Sequence, residues 1–395
     1  MSGRVVVAGV GMIPFTTPSR TETYDLMGTK AARAALTDAG VEYSKVQQAY
    51  AGYVYGDSTC GQAVVYGLGQ TGIPVINVNN NCSTGSSALF LARQAVESGA
   101  VDVALAVGFE QMQRGALAMG YTDRPTPFDR FNEVMDQIQE RTEAPFAAQM
   151  FGGAGRQYMQ KYGTVPETFA KISVKSRKHA ANNPYAVFKD PVTVEEVLAS
   201  PHIYGPLTRL QCCPPTCGAA AAVLVSEEFA KANGIDASVV IKAQAMATDF
   251  PSTFTEKDMA KIVGYDMSKA AAQQIYEASG VAPTDIRVVE LHDCFTANEL
   301  LTYEAIGLTP EGTAEKFIND GDNTYGGRVV TNPSGGLLSK GHPLGATGLA
   351  QCAELVWQLR GQAQARQVAG ELKVALQHNI GLGGAAVVTL YEKVS

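Results

Sequence analysis

Residues 79–87 read NNNCSTGSS, and the cysteine among them, Cys82, precedes an apolar stretch, 88–92, with the character of a buried helix. At a helix N-terminus a thiol meets unpaired N–H groups and the positive end of the dipole, which lower its pKa and favour the thiolate. Such a position makes a nucleophile. The alternative is a small buried hydrophobe packing a helix start, and a second observation decides against it. Segment 86–96 matches segment 346–356 at an offset of 260, and the same offset carries Cys82 onto His342. A thiol and an imidazole would then both sit where a loop enters a buried helix, related by an internal pseudo-twofold axis. Nucleophilic catalysis by a thiol needs that partner, because the adjacent base makes the thiolate.

The elements that must position these two residues are legible as repeats. TDAGV at 37–41, followed by Val46, matches EASGV at 277–281, followed by Ile286, at an offset of 240. In both copies an Ala-rich helix stops at a glycine and leads into a strand. Residues 103–105 match 374–376, each reading as a buried strand after its helix. Segments 86–96 and 346–356 are apolar nearly all round, as a helix sandwiched between layers should be. The chain reads as two similar α/β halves.

Composition narrows the function classes. At 395 residues the chain exceeds one hydrophobic core. Charged residues are 17%, below the usual quarter, which implies a large interior or surface hidden in an oligomer. A net charge of -7 argues against non-specific nucleic-acid binding. Seven cysteines without a framework spacing read as reduced thiols rather than disulfides. No secretory h-region, membrane-length apolar span or peroxisomal C-terminal address is found, so the expected location is cytoplasmic, with no membrane span.

Four motifs in order carry a family resemblance: NNNCSTGSSAL at 79–89, HDCF at 292–295 with NEL at 298–300, GGLLSKGHPLGATG at 335–348 and QHNIGLGG at 377–384. Together they are specific, and over its whole length the chain resembles the thiolases, in particular the sterol-carrier-protein-x type. The resemblance implies an α/β thiolase fold with two pseudo-twofold-related βαβαβαββ halves stacked in five layers, α-β-α-β-α. Residues 1–250 would form the N-terminal half, including an inserted loop domain at about 110–240, and 251–395 the C-terminal half. It also implies a homodimer or dimer of dimers, acyl-CoA and coenzyme A as substrates, no permanently bound cofactor and, as a further partner, a lipid-carrier domain or protein.

By resemblance, Cys82 accepts the acyl group and His342 is the base that activates it. The better-known thiolases carry a second acid/base cysteine near the C-terminus, which this chain lacks; the sterol-carrier subgroup places it in HDCF, which gives Cys294. Read from the residues alone, Cys294 is a core residue following a strand at 288–291. One oxyanion hole would use the N–H of Cys82 with an N–H from the 381–384 loop, where Gly383 lets the backbone approach closely. The other would use His342 with His292, or a water that His292 holds. His378 and Asn379 beside the loop are candidates for the oxyanion hole or for supporting the residues that form it, His378 equally a structural histidine, and Ser334 and Gly335 are substrate-binding candidates.

Other signals carry less. Gly9 and Gly11 after a strand begin a dinucleotide fingerprint, but Pro14 stands at the third glycine position. Cys212, Cys213 and Cys217 lack the histidines that would complete a tetrahedral site, so no metal is expected. Lys171, Lys175 and Lys178 share a helical face that either meets coenzyme A phosphates or is solvated. Methionines and aromatics between Met112 and Met150 either line an acyl tunnel or pack the loop domain. The rival functions are a decarboxylating condensing enzyme of Cys-His-His type, a retro-aldolase of the lipid-transfer thiolase-like group, whose described members lack the nucleophilic cysteine, and a non-catalytic lipid-binding or scaffolding protein.

Overall fold

Ten strands share one hydrogen-bonded order in the computed structural model, which describes residues 3–115, 121 and 123–394. They are β1 (Val5–Met12), β2 (Gln48–Gly52), β3 (Val75–Val78), β4 (Val103–Glu110), β5 (Gly218–Ser226), β6 (Val239–Ala247), β7 (Val288–Glu290), β8 (Val330–Thr331), β9 (Val374–Gly381) and β10 (Ala385–Lys393). The order β8-β7-β9-β10-β6-β1-β5-β4-β2-β3 divides into two five-stranded leaves of the same internal order. They meet where β1 and β6 share one paired position, Val6 with Val240. In each leaf four strands run the same way and one, β5 or β10, runs antiparallel between two of them, so the second half repeats the first.

Helices fill the layers between and outside the leaves. α1 (Tyr24–Ala39) covers the outer face of the first leaf and α5 (Tyr265–Ser279) that of the second. Both end, as the repeat requires, on a left-handed glycine: Gly40 at φ 63° and Gly280 at φ 70°. The central layer is α2 (Thr84–Glu97) against α7 (Leu344–Arg360). Three apolar cores result: one under α1, one around α2 and α7, and one under α5. Strand alternation sorts residues among them by size. On β4, Val103, Leu105, Val107 and Phe109 face the core under α1, whereas Ala104 and Ala106 face the central helices. Gly108 continues that small face, because a Cβ there would lie 2.1 Å from the Gly345 carbonyl oxygen of α7. The beginning of α7 therefore sits directly on the end of β4.

β6 pairs along its length with β10, so Val239–Ala247 belongs to the second leaf of the sheet. The inserted domain spans 111–217 and not about 110–240, because 218–226 returns as β5 between β4 and β1, antiparallel to both. It holds a short helix, Asp129–Asp136, then α3 (Phe146–Tyr162), α4 (Pro166–Ala180) and a small hairpin of His202–Tyr204 with Leu207–Thr208. Its helices pack over α6 (Thr296–Ala305), which follows β7. Gly9 and Gly11 serve packing, since a Cβ at either would lie 2.3–2.4 Å from the α1 backbone at Ala35. No described helix is long and apolar enough to cross a membrane.

Candidate active site

Where the ends of α2 and α7 meet the inserted domain there is a cavity of about 1130 Å³, whose lining includes Cys82, His292, His342 and Cys294 together with 380–385. The three asparagines before Cys82 build its loop. Asn81 takes a left-handed φ of 51°, which asparagine tolerates. Its Nδ2 donates to the Leu382 carbonyl at 3.1 Å, tying the nucleophile loop to the glycine loop of the other half. Asn80 Nδ2 donates to Ser87 Oγ at 3.0 Å and its N–H to Thr84 Oγ1 at 2.9 Å, locking the start of α2.

Among the described residues, one cluster of thiol and imidazole groups stands out: an Sγ of Cys82 and a ring nitrogen each from His292 and His342 lie within 4.8 Å of one another, all buried. The two rings meet edge to face, centroids 5.1 Å apart and planes at 87°. Three such ligand atoms also have the geometry to present to a soft metal ion. The expected thiolate is not the resting species here. Burial, followed by the nearby Glu110 carboxylate, pushes the Cys82 thiol up to about 12, against a smaller pull from its own N–H. Burial, then the Lys340 charge, pulls His342 down to about 3. Thiol and imidazole are therefore both neutral, and charge separates only when a reaction drives it.

The surrounding hydrogen bonds differentiate the imidazoles. His342 Nδ1 lies 2.7 Å from Thr347 Oγ1, and that hydroxyl donates to the Pro343 carbonyl at 3.0 Å. The arrangement that satisfies both contacts puts the ring proton on Nδ1 and leaves Nε2 a lone pair, with no hydrogen-bond partner of its own. His342 is built as a base. The His342 N–H donates to Thr216 Oγ1 at 2.6 Å, which fixes the loop. His292 is held the other way: Asn379 Nδ2 donates to its Nδ1 at 2.9 Å, so its proton sits on Nε2. The same Nδ2 donates to the Cys82 carbonyl at 3.2 Å. Burial first, then His342 and His378, hold His292 well below the ordinary imidazole range, so it is a neutral N–H donor.

Cys294 follows β7 and lies in the cavity wall, 4% exposed. Burial pushes its thiol well above the ordinary value, with Cys213, Cys82 and Asp293 adding to the effect. It thus keeps its proton until something more basic arrives. The Cys213 N–H donates to the Cys294 carbonyl at 2.9 Å, joining the inserted domain to this wall. Gly383, at φ 94°, also lines the cavity. Two residues without a sequence signal matter here. Thr347 orients His342, and Glu110, raised to about 7 by burial against three N–H donors, anchors Val54, Tyr55 and the α7 residue Gly345.

Several candidates fall elsewhere. His378 points away from the cavity, because β9 alternates and Asn379 takes the inward side; its Nε2 bonds Ser268 of α5 at 2.8 Å. Its charge bears on His292. Ser334 and Gly335 do not line the cavity. Ser334 donates through N–H and Oγ to buried Glu290 at 3.0 and 2.8 Å, and Gly335 packs on Ala180 of α4. They shape the loop before His342. Of the lysines, Lys175 is buried and paired with Glu299, and Lys171 and Lys178 are exposed away from the cavity. Met112, Phe128 and Phe146 do line it, while Met150 belongs to the core. Cys217 bonds the Met112 backbone, whereas Cys212 and Cys213 face the cavity.

Known proteins bear out this architecture. Residues 5–228 match the thiolase N-terminal domain and 251–392 the thiolase C-terminal domain-like family. The chain belongs to the thiolase family. It is 58% identical to sterol carrier protein 2 of Oryctolagus cuniculus over 98% of its own length and 72% of that protein's. The solved structure of an Ltp2-ChsH2(DUF35) aldolase superposes at TM-score 0.83 with 26% identity, covering 99% of this chain and 98% of that one. Human mitochondrial 3-ketoacyl-CoA thiolase in complex with CoA superposes at 0.74 with 18% identity, covering 100% and 98%.

Proposed function

We propose that this chain is a coenzyme A-dependent acyltransferase that cleaves 3-oxoacyl-CoA, or runs the reverse Claisen condensation, through an S-acyl Cys82. The observation that carries this is the division of the buried cluster: a thiol, one imidazole with a free Nε2 and one imidazole with a donating Nε2, within 4.8 Å. In the cleavage direction Cys82 Sγ attacks the 3-keto carbon as His342 Nε2 takes its proton. The oxyanion is met by the N–H of Cys82 and an N–H of the Gly383 loop. Breaking the bond between C2 and C3 leaves the acyl group on Cys82 and a carbanion at C2 of the departing acyl-CoA. Cys294, whose thiol holds its proton, supplies it to that carbon, while His292 Nε2–H and His342, now carrying its proton, stabilise the enolate oxygen. A second coenzyme A thiol then gives its proton to the Cys294 thiolate and attacks the acyl-cysteine, and the departing Cys82 thiolate takes back its proton from His342.

The apolar lining from Phe128, Phe146, Phe151, Phe295, Ile203 and Leu382 suits a bulky acyl group. Arg209, exposed and unpaired among the described residues, stands on the same lining and suits a coenzyme A phosphate. The open edge strand β3, with Ile76 37% exposed, supports a homodimer. Seven unpaired cysteines suit a reducing compartment such as the cytoplasm, and a lipid-carrier module is the partner we assign. Retro-aldol cleavage is the competing reading, because of the likeness to the aldolase complex. The test incubates the protein with 3-oxoacyl-CoA and coenzyme A, then with acyl-CoA alone, and follows products and peptide masses. Two shorter acyl-CoA products and one acyl mass on the Cys82 peptide, absent in Cys82→Ala, are expected. Aldehyde or ketone release without a Cys82 adduct would mean an aldolase.

A further inference from the structure

Behind His292, outside the cavity lining, lies a run of fully buried polar side chains: Tyr391 on β10, Gln377 and Asn379 on β9, and Ser86 on α2. Tyr391 Oη donates to Gln377 Oε1 at 2.5 Å. Gln377 Nε2 donates to Ser86 Oγ at 2.8 Å and to the Gly348 carbonyl at 2.7 Å. Ser86 Oγ donates to Asn379 Oδ1 at 2.8 Å. Asn379 Nδ2 then donates to the Cys82 carbonyl and to His292 Nδ1.

The direction of this chain is determined at both ends. A main-chain carbonyl can only accept, so the Gly348 carbonyl fixes which end of the Gln377 amide is nitrogen, and the Cys82 carbonyl does the same for Asn379. Ser86 has one hydroxyl proton; having accepted from Gln377, it must give that proton to Asn379. Both hydrogens of Asn379 Nδ2 are then committed, and His292 Nδ1 has to offer a lone pair. With the opposite polarity His292 would carry its proton on Nδ1 and turn a second lone pair toward Cys82. Two bases would then compete for one thiol proton, and the oxyanion would lose its donor.

We propose that Gln377 and Ser86 are positioning residues that fix His292 as the Nε2–H tautomer, making it an oxyanion donor and leaving His342 the sole base. The catalytic consequence rests on the acyltransferase reading above; the tautomer itself does not.

The test uses the full chain labelled with 15N-histidine, with the five histidines assigned by single substitutions. In the parent protein His292 is expected protonated at Nε2 and His342 at Nδ1. In Ser86→Ala, and more strongly in Gln377→Glu, which replaces the donor by an acceptor, the His292 signals should move toward the Nδ1–H form while His342 keeps its pattern. In parallel, exchange of the acetyl hydrogens of acetyl-CoA with deuterated water should fall roughly a hundredfold to a thousandfold, the scale of a lost oxyanion donor. Alkylation of Cys82 by iodoacetamide, which needs no oxyanion donor, should not fall. A parent His292 protonated at Nδ1, or an unchanged His292 spectrum in both folded variants, would overturn the proposal. If the parent shows no exchange while the spectra behave as expected, the acyltransferase reading fails and the positioning role stands.

Discussion

Cys82 and His342 hold the same place in two copies of one motif: each lies two residues before the first residue of a central helix, Thr84 of α2 and Leu344 of α7. Pairing those helices across the pseudo-twofold axis brings a nucleophile from one half against a base from the other. Neither half contains the reaction centre by itself.

His342→Ala removes the only imidazole nitrogen of the cluster that is a free acceptor. Because burial holds the Cys82 thiol up, the helix terminus alone does not generate thiolate near neutrality. Acylation of Cys82 by acyl-CoA, measured in single turnover at pH 7, should slow by about a hundredfold to ten-thousandfold. An unchanged rate would show that another group takes the proton.

Cys294→Ala should separate the half-reactions. Transfer of an acyl group from acyl-CoA to Cys82 needs no proton at carbon and should persist. Carbon–carbon cleavage and exchange of alpha hydrogens should drop by about two orders of magnitude or more. Parent-level exchange in this variant would pass the role to another group; His378, bonded to Ser268 on the far side of β9, is not placed to take it.

Gly108→Ala probes how the halves touch. The added methyl would fall 2.1 Å from the Gly345 carbonyl oxygen, at the first turn of α7. Overpacking of that kind costs about 1–3 kcal/mol. A lower midpoint in denaturant, with slower acylation because the loop carrying His342 moves with α7, is the expected result. A variant as stable and active as the parent would mean that the two elements slide apart freely.

Stability should fall in acid through the buried histidines. Burial pulls His342 and His378 down to about 3, below an unfolded value of about 6.5. Between those values the unfolded chain binds protons that the folded chain refuses, so stability is present at neutral pH and is lost as pH falls. His378→Gln should flatten the dependence of stability on pH between 6 and 4 by about one proton, read from denaturant midpoints. An unaltered slope would show that His378 is protonated in the folded protein.

Sequence by itself determined the repeat, the two helix starts that carry Cys82 and His342, and the glycine stops at Gly40 and Gly280, because these depend on local pattern and on backbone conformations few residues adopt. The motif resemblance added Cys294 and His292, which do line the cavity. Tertiary structure alone decided what depends on packing across the halves. It turned Asn379 inward and His378 outward, since period-two alternation sends neighbours to opposite faces and only the sheet's position says which face is the site. It buried Lys175 against Glu299, where the helical face had left phosphate or solvent open, and bound the substrate-binding candidate Ser334 to Glu290. It also set the charge state: a helix N-terminus predicts a lowered thiol pKa, but full burial beside Glu110 outweighs that pull, because removing a charge from water costs more than a few aligned N–H groups return.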